Sequence, residues 1–315
     1  MIRLSIYDKV LKEVEKTIVG YKKYVRVILA NWFVNGHVLL IGVPGLAKTR
    51  LAETMAKVTN MSLSRIQFTP DLMPTDITGT EILQEVDGKR KFVFVKGPVF
   101  SNVVLADEIN RTPPKTQAAL LEAMQERQVT YAGKTYHLPK PFFVIATQNP
   151  IEQEGTYPLP EAELDRFYTS IWLEYPEFED EIAIVKKVTG SIEDINPVLT
   201  KDDILFYQKE VQKVPISDVL IELAVKIVQA TRPEKSEIYE VSRYVEWGAG
   251  PRAAEHLVNL AKAFVLVDER GAVEEKDIRE AARWVLPHRL VLNFEAQAER
   301  VRAIDIVDSV VEKIG

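Results

Sequence analysis

The sequence of 315 residues contains no cysteine, which excludes disulfide bonds, thiolate nucleophiles and zinc–sulfur sites. Histidine is also scarce, and the four positions do not follow the spacing of metal ligands: His37, His137, His256 and His288. No apolar run approaches the ~20 residues that a membrane-spanning helix needs, and residues 1–16 are charged. We therefore expect a cytoplasmic protein without a membrane span.

The sequence also lacks an excess of positive charge. Its formal net charge is −6, which argues against a surface made for non-specific nucleic-acid binding, although a local basic patch is compatible with that value. Hydrophobic residues make up 46% and charged residues 27%, which is typical of a folded protein and not of a disordered chain. The length predicts one large or two medium domains.

The first half of the chain alternates short apolar runs with helical patterns. The runs lack strict polar alternation, which indicates parallel strands buried on both faces. Helices between such strands predict an α/β fold with crossover connections. The predicted strands are residues 38–41, 66–68, 103–106, 142–146 and 170–173.

Beyond Tyr175-Pro176 the patterns are helical. We place a boundary near residues 176–200, which predicts an α/β domain of residues 1–190 and a small all-α domain of residues 191–315. Thr200 with Asp203 resembles a capping box, and Ser217 can cap the following helix. The predicted helices are 179–188, 202–211, one that begins after Ser217, 253–267, 278–285 and 296–314.

Two β-hairpins are predicted as insertions in the α/β domain. Asp87-Gly88 lies between apolar segments in residues 82–95, and this pair is a strong signal for a hairpin turn. A second hairpin, residues 129–138, turns at Ala132-Gly133. The strands are too short for the parallel sheet, so we expect both hairpins to project from it.

Residues 42–49, Gly-Val-Pro-Gly-Leu-Ala-Lys-Thr, follow the first predicted strand and precede a helical pattern. Strand, glycine-bearing loop and helix N-terminus together form a cradle for nucleotide phosphates. In such a loop Lys48 reaches the outer phosphates and the Thr49 hydroxyl binds Mg²⁺. Ala47 replaces the usual second glycine, and we expect it to adopt helical dihedrals. The alternative is a Gly/Pro turn with a surface lysine.

Polar side chains end two further predicted strands. Asp107 is a candidate for holding Mg²⁺ through water, and Glu108 for orienting or deprotonating the water that attacks a γ-phosphate. The strand ends of an open parallel sheet are where ligands bind, but the pair can also be a surface acidic pair. Asn149 is placed to contact the same water or phosphate, or it only forms the turn before Pro150.

Two arginines are candidates for neutralising charge during phosphoryl transfer. Arg166 lies beside a predicted helix end, where local sequence does not distinguish it from a salt-bridged surface arginine. Arg252 follows Gly248-Ala249-Gly250-Pro251, in which proline fits the first turn of a helix and the glycines allow close approach to a ligand. From there Arg252 would reach a phosphate.

The order of these motifs resembles that of AAA+ ATPases, and the residues within them resemble those of the MoxR family. The likeness lies in Gly-Val-Pro-Gly-Leu-Ala-Lys-Thr, in Asp-Glu-Ile-Asn-Arg (107–111), in Ala-Thr-Gln-Asn-Pro (146–150) and in Leu-Pro-Glu-Ala-Glu-Leu-Asp-Arg-Phe (159–167). It covers nearly the whole chain, and Ala47 is what that family has at its position. The fold implied is a five-stranded parallel P-loop sheet with flanking helices and two hairpin insertions, followed by a small all-α lid.

The resemblance implies a role for each matching residue. It assigns Lys48 and Thr49 to Walker A, Asp107 and Glu108 to Walker B, Asn149 to sensor 1 and Arg252 to sensor 2, and it makes Arg166 the finger donated to a neighbouring subunit. The residues predicted to bind the nucleotide are Ile18, Val19, Gly20, Gly42, Pro44, Gly45, Leu46, Ala47, Lys48, Thr49 and Arg50. The family's Ile-Val-Gly-Gln beside the adenine is Ile18-Val19-Gly20-Tyr21 here, so the glutamine is lost. Whether Arg252 acts within its own subunit or across the interface is left open.

The resemblance further implies ATP and Mg²⁺ as ligands and a ring of identical subunits, usually six. It implies chaperone-like maturation of partner proteins, often ones with a von Willebrand A domain, whose Asp-x-Ser-x-Ser motif is absent from this sequence. Two alternatives are a magnesium-chelatase-like subunit and a nucleic-acid motor. The motor is suggested by basic hairpin tips (Lys89, Arg90, Lys91 and Lys134) and disfavoured by the acidic net charge. A scaffold that binds ATP without hydrolysing it is also disfavoured, because such a protein has no need of a catalytic base at Glu108.

Overall fold

The computed structural model describes residues 5–86, 89–151, 155–188 and 194–314. The predicted turn at Asp87-Gly88 lies outside these residues and stays a prediction. Within the described ranges, none of the helices combines the length and apolar character needed to cross a membrane.

The strands and helices follow one another in an α/β pattern that gives way to helices. The strands are β1 (Val38–Ile41), β2 (Leu63–Gln67), β3 (Gly79–Val86), β4 (Lys89–Lys96), β5 (Val103–Asp107), β6 (Gln128–Tyr131), β7 (Lys134–His137), β8 (Phe143–Gln148), β9 (Thr169–Trp172), β10 (Val245–Trp247) and β11 (Val291–Leu292). The helices are α1 (Ile6–Val14), α2 (Lys22–Phe33), α3 (Lys48–Val58), α4 (Pro74–Thr78), α5 (Pro114–Glu126), α6 (Glu161–Leu164), α7 (Phe178–Val188), α8 (Lys201–Glu210), α9 (Asp218–Ala230), α10 (Tyr239–Tyr244), α11 (Pro251–Val267), α12 (Glu275–Val285), α13 (Phe294–Ala298) and α14 (Ala303–Lys313).

Five parallel strands form the central sheet in the order β2-β5-β8-β1-β9. β1 lies between β8 and β9, and β5 lies between β2 and β8. Both β1 and β5 are buried along their whole length, as expected of apolar strands covered on both faces. The predicted parallel sheet is confirmed, with strand ends displaced by up to three residues.

Two hydrophobic cores flank this sheet. One face contributes Val104 and Val144 to a core that includes α5. The opposite face contributes Val103 and Ile145 to a core that includes α1, α2 and α3 and continues through Leu257 of α11 into the second domain. The two domains therefore share one apolar core.

Helix α2, which the sequence reading did not identify, lies between the sheet and the second domain. Trp32 stacks on Phe143 of β8 with ring centroids 5.1 Å apart. Arg26 lies 4.3 Å from the ring centre of Phe264 and pairs with Asp268 at 2.7 Å. Because α2 packs on α11, these contacts fix the second domain against the first.

The two predicted hairpins form and pack against each other. β3 pairs with β4 and β6 pairs with β7, both antiparallel. Ala132 and Gly133 have φ values of 47° and 76°, as a two-residue hairpin turn requires. Phe94 of the first hairpin stacks on Tyr136 of the second, with centroids 4.2 Å apart. The hairpins therefore form one projecting unit.

The second domain, called the lid below, is helical with one small addition. Thr200 and Asp203 form the predicted capping box at α8. Ser217 occupies the N-cap position of α9, but its side chain makes no capping hydrogen bond. A short antiparallel ribbon, β10 with β11, was not predicted because strands of two and three residues have no readable periodicity.

The prediction of one helix over residues 296–314 is wrong. The segment is divided into α13 and α14. Arg300 has φ 57°, a left-handed conformation that cannot continue an α-helix. The Val301 N–H bonds to the Ala296 carbonyl, which closes the end of α13. The apolar spacing gave no sign of this turn because residues on both sides of it contribute to the same core.

Candidate nucleotide-binding site

The loop between β1 and α3 has the backbone shape of a phosphate cradle. Gly45 has φ +88°, and a Cβ there would meet no atom within 4 Å. Ala47 has φ 46° and ψ 27°, so the expectation of helical dihedrals at Ala47 is wrong. A left-handed conformation costs a non-glycine residue ~1–2 kcal/mol. The loop therefore keeps at Ala47 a conformation that glycine adopts without strain.

Lys48 begins α3, and its ammonium lies at the ends of β1 and β8. Nζ donates to the carbonyl oxygens of Gly42 and, at 3.3 Å, of Gln148. Thr49 follows in the first turn of α3 and is half-buried. Both residues thus lie at a helix N-terminus, where free backbone N–H groups and the helix dipole favour an anion.

Asp107, the last residue of β5, is buried and accepts hydrogen bonds on both carboxylate oxygens. Thr147 of β8 donates its hydroxyl to Oδ1 at 2.6 Å. Arg65 of β2 pairs with Oδ2 at 2.6 Å, although half of the Arg65 side chain is exposed. An exposed cation can move aside, so the carboxylate is ready to take another positive charge.

Glu108 lies directly beyond β5 and has a left-handed backbone, with φ 57°. Its N–H bonds to the Thr147 hydroxyl at 2.8 Å. The Oε2 oxygen accepts from Gln67 at 3.1 Å and from Arg111 at 2.9 Å. The backbone strain therefore accompanies a carboxylate that is held at the mouth of the site by two polar side chains.

Asn149, directly after β8, is 5% exposed and carries a buried donor without an acceptor. Its Oδ1 accepts from the Ile151 N–H at 3.2 Å. Its Nδ2 is buried and has no hydrogen-bond partner among the described residues. The turn before Pro150 thus uses only one end of this amide, and a buried donor left unpaired costs ~1–3 kcal/mol unless a ligand satisfies it.

A cavity of about 490 Å³, called the base cavity below, opens beside the phosphate loop. Seven predicted ligand-binding residues line it: Ile18, Val19, Pro44, Gly45, Leu46, Ala47 and Arg50. Gly20, Gly42, Lys48 and Thr49 do not line it. Sequence reasoning missed Lys16, Thr17 and Tyr21 and the far wall, Tyr175, Pro176, Glu181, Ile184, Val185 and Lys187. The amphipathic pattern of α7 was a signal for Glu181, Ile184, Val185 and Lys187 only, and Tyr21 was noted only as the residue that replaces the family's glutamine.

Gly20 has a structural role in this wall. Its φ is +82°, and a Cβ would approach Asp180 Oδ2 of α7 to 2.6 Å. A side chain at Gly20 would therefore collide with the Asp180 side chain and would be strained in this left-handed conformation. The glycine thus permits the close approach of Asp180 at the start of α7.

Tyr21 occupies the position of the family's glutamine. Its ring lines the base cavity, and its hydroxyl donates to the Leu46 carbonyl of the phosphate loop at 2.8 Å. Burial raises the pKa of Tyr21 to about 12, so the hydroxyl keeps its proton. Tyr21 thus ties the wall of the cavity to the phosphate loop.

The two candidate arginines lie together, and neither lines the base cavity. Arg166 is half-buried, and no ion pair or side-chain hydrogen bond joins it to another described residue. Arg252 is 64% exposed on its side chain and pairs at 3.1 Å with Asp165, the neighbour of Arg166. Gly248 packs against the Thr231 carbonyl, 2.4 Å from a built Cβ, so this glycine serves the fold and not a ligand.

These residues fit a nucleoside triphosphate with Mg²⁺. The unpaired Nδ2 of Asn149 and the open space at Gly45 suit a phosphate chain, and the apolar cavity suits a base. No group of three histidine, aspartate or glutamate side chains forms a metal cage within the described ranges. Mg²⁺ bound mainly through substrate phosphates needs only one or two protein ligands, which Thr49 and Asp107 can supply.

Fold and site together define a P-loop ATPase of the AAA+ class, in which a helical lid follows the nucleotide-binding sheet. Residues 37–169 match the ATPase family associated with various cellular activities (AAA), and residues 238–310 match the AAA lid domain. A crystal structure of a presumed ATPase from Cytophaga hutchinsonii superimposes with a TM-score of 0.90 at 43% identity, over 98% of this chain and 94% of that one.

Similar proteins identify the family within the AAA+ class. The chain is 42% identical to Chaperone MoxR1 of Mycobacterium tuberculosis, over 98% of this chain and 81% of that protein. It is 42% identical to YeaC of Bacillus subtilis over 98% and 94%, and 28% identical to Protein MoxR of Methylorubrum extorquens over 96% and 93%. The chain belongs to the MoxR family of AAA+ ATPases.

Proposed function

We propose that this protein hydrolyses ATP with Mg²⁺ in a ring of identical subunits and uses the cycle to remodel partner proteins in the cytoplasm. One observation carries the catalytic part. The end of β8 links the phosphate-loop lysine to both carboxylates, because Gln148 accepts from Lys48 while Thr147 bonds to Asp107 and Glu108. Groups that bind phosphate, hold a metal and activate water are thereby brought to one place.

Each residue has a role in this proposal. Lys48 exchanges its carbonyl partners for the outer phosphates, and Asn149 Nδ2 donates to the γ-phosphate or the attacking water. Thr49 and Asp107 would hold Mg²⁺, and the ion would supply positive charge against the phosphates. Glu108 orients or deprotonates the water after releasing Gln67 and Arg111. The contacts of Glu108 thus favour a resting state until the nucleotide arrives.

The position of the arginines supports the proposed ring. Arg166 has no acceptor among the described residues, Arg252 lies close to it, and neither lines the subunit's own base cavity. We therefore assign both to the nucleotide of a neighbouring subunit, where a guanidinium stabilises the developing charge. A hexamer is the assembly we expect.

The chaperone-like role is supported by the relative named Chaperone MoxR1. We propose a separate protein with a von Willebrand A domain as the partner. Nucleic acid is disfavoured by the acidic net charge. Tyr131 and Tyr136 lie against Phe94, with centroids 5.4 and 4.2 Å away, so packing between the hairpins accounts for both rings. Nothing in the site favours a magnesium-chelatase-like substrate.

The catalytic part is tested with Glu108→Gln. We expect ATP turnover to fall by ~10²–10⁴-fold, the usual contribution of a general base, while a fluorescent ATP analogue still binds. Glu122→Gln, on the exposed side of α5, is the matched control and should keep full turnover. Full turnover of Glu108→Gln, or absence of ATP binding by the unaltered protein, would contradict the proposal.

Glu108→Gln also tests the proposed partner protein. With ATP present, Glu108→Gln should hold a purified von Willebrand A domain protein more tightly than it does with ADP. Retention of single-stranded DNA that decreases with salt would instead support a nucleic-acid motor. Measuring the mass of the assembly with and without ATP tests the hexamer.

A further inference from the structure

The segment that carries Arg166, residues 165–168 and called the finger segment below, is held by one arginine of the lid. Arg289 Nε pairs with Asp165 Oδ1 at 2.8 Å. Its Nη2 donates to the carbonyls of Asp165 at 3.3 Å and Phe167 at 2.8 Å, and its Nη1 donates to that of Tyr168 at 3.2 Å. Arg289 thus contacts the backbone on both sides of Arg166.

Arg289 is itself fixed within the lid. It lies in a 3₁₀ turn directly after α12, and its side chain is 3% exposed. Nη2 donates to His256 Nδ1 of α11 at 2.8 Å, and Nη1 donates to the Val285 carbonyl of α12. A planar guanidinium with several fixed acceptors has a single orientation. A displacement of α11 or α12 would therefore displace Arg289 and its contacts.

Two lid histidines extend the same attachment. His288 contacts the Phe167 carbonyl and the Ser170 hydroxyl, each at 3.0 Å. The ring of His256 stacks on Tyr168 with centroids 4.0 Å apart. In the finger segment, therefore, Asp165, Phe167 and Tyr168 are all contacted by the lid. The Arg166 side chain has no such partner within the described residues.

We propose that Arg289 is a positioning residue for Arg166, so that the lid of one subunit sets how its arginine reaches the nucleotide of the next subunit. The inference rests on the proposed function, because it requires Arg166 to act across an interface. Arg289 does not touch the nucleotide. It acts through the carbonyls of the finger segment, and a lid that turns would withdraw or advance the Arg166 guanidinium.

The alternative is that Arg289 only joins two domains. Arg26 offers a comparison, because it also joins the first domain to the lid, through Asp268 at 2.7 Å and Glu280 at 2.5 Å. Among the described residues, Arg26 does not contact the finger segment: its charged partners are Asp268 and Glu280, and its ring contact is Phe264. Lysine at either position keeps the charge but loses the planar set of donors.

The experiment mixes variants whose defects lie in different parts of a shared site. Lys48→Ala loses the subunit's own nucleotide site but keeps a normal Arg166. Arg289→Lys should keep its own nucleotide site but present a displaced Arg166, with turnover reduced by ~10²-fold, the cost of a ~1 Å misplacement. Mixed rings should recover about a quarter of normal turnover, since half of the pockets and half of the arginines remain intact.

Two further variants define the reference points. Arg166→Ala mixed with Lys48→Ala should recover turnover in the same way. Arg26→Lys should keep turnover on its own, or lose it together with stability and show no recovery on mixing. If Arg289→Lys does not fold, Asp165→Asn removes the charge partner of Arg289 in a side chain of the same shape and should give the same recovery. Because Asp165 also pairs with Arg252, Arg252→Ala is measured beside it to separate the two contacts.

The outcomes separate the two proposals. Recovery with Arg166→Ala but not with folded Arg289→Lys or Asp165→Asn would overturn the positioning role and leave the shared site intact. Normal turnover of Arg166→Ala, or no recovery in its mixture, would overturn the shared site and the positioning role with it. Equal ATP binding by Arg289→Lys and the unaltered protein, with kcat lowered and KM unchanged, would support the role proposed.

Discussion

Two aspartates of the first domain, Asp107 and Asp165, pair with arginines of opposite exposure, and Asp165 also accepts from the exposed Arg252. The partner of Asp107 is Arg65, whose side chain is 51% exposed. The buried partner of Asp165 is Arg289, whose side chain is 3% exposed. Beside Asp107 a buried amide nitrogen has no acceptor among the described residues, whereas the Arg289 donors have acceptors in both domains.

The difference in exposure of the two arginines indicates which contacts can be exchanged and which are fixed. Around Asp107 the polar groups are held by partners that can leave, at the cost of an unpaired donor and a strained backbone at Glu108. Such an arrangement suits the exchangeable nucleotide and metal that we propose for this site. Around Arg289 the contacts are closed and buried, which fixes geometry instead. Under the proposed function, aspartate would therefore serve ligand exchange at position 107 and a fixed geometry at position 165.

The largest difference between the two aspartates should appear in the free energy of unfolding when each is replaced by asparagine. Asp165→Asn should lower the free energy of unfolding by ~2–3 kcal/mol, because buried Arg289 loses its counter-charge, with a discount for the partial exposure of Asp165. Asp107→Asn should change it by less than ~1 kcal/mol, because Arg65 can return to water. Urea unfolding measures both, and equal losses would contradict the comparison.

A smaller effect should appear in the pH dependence of stability. Burial lowers the pKa of His256 to about 3, and Arg289 adds to this shift. Between that value and the ordinary ~6.5, the unfolded chain binds a proton that the folded chain does not. Stability is therefore complete above ~6.5 and decreases as pH falls, by up to ~1.4 kcal/mol per pH unit for this histidine. Burial lowers the pKa of His288 in the same direction.

The test is His256→Asn, which keeps a side-chain acceptor near Arg289 but cannot take up the proton. Between pH 5 and 6 its stability should depend less steeply on pH than that of the unaltered protein, by ~1 kcal/mol per unit. Above pH 7.5 the two should differ by a constant amount. Identical slopes in urea-unfolding series at pH 5–6 would show that His256 is not held neutral by the lid.

The smallest effect should be on ATP affinity, and it should come from the hydrogen bond that joins the base cavity to the phosphate loop. Tyr21→Phe removes the hydrogen bond to the Leu46 carbonyl and should weaken ATP binding by ~1 kcal/mol, about fivefold, with little change in kcat. Tyr24→Phe is the matched control, because its hydroxyl bonds to the Glu174 N–H instead. Titration with a fluorescent ATP analogue measures both, and equal effects would exclude a specific role for Tyr21.

The sequence predicted those parts of the molecule that short motifs and apolar runs determine. β1 was placed with its correct ends, and Lys48, Asp107 and Asn149 were each predicted at the end of a strand or the start of a helix. These positions follow from neighbours in the chain. Their roles as ligands of a nucleotide stay predictions until a variant is measured.

Other parts depend on which strands are neighbours, and a single sequence does not show that order. Arg65 and Gln67 reach the carboxylates only because β2 lies beside β5. Arg289 reaches the finger segment from more than a hundred residues away. Ala47 and Arg300 adopt left-handed conformations that their residue types do not favour. In each case tertiary structure overrides the local preference.

The apolar core continues from one face of the sheet into the lid, and this continuity determines how the protein unfolds. A cut near residue 190, where composition changes, would expose the side of α2 that lies against α11. Neither fragment should then behave as an independent, soluble piece. Heating should give a single heat-absorption peak, because the two halves melt as one cooperative unit.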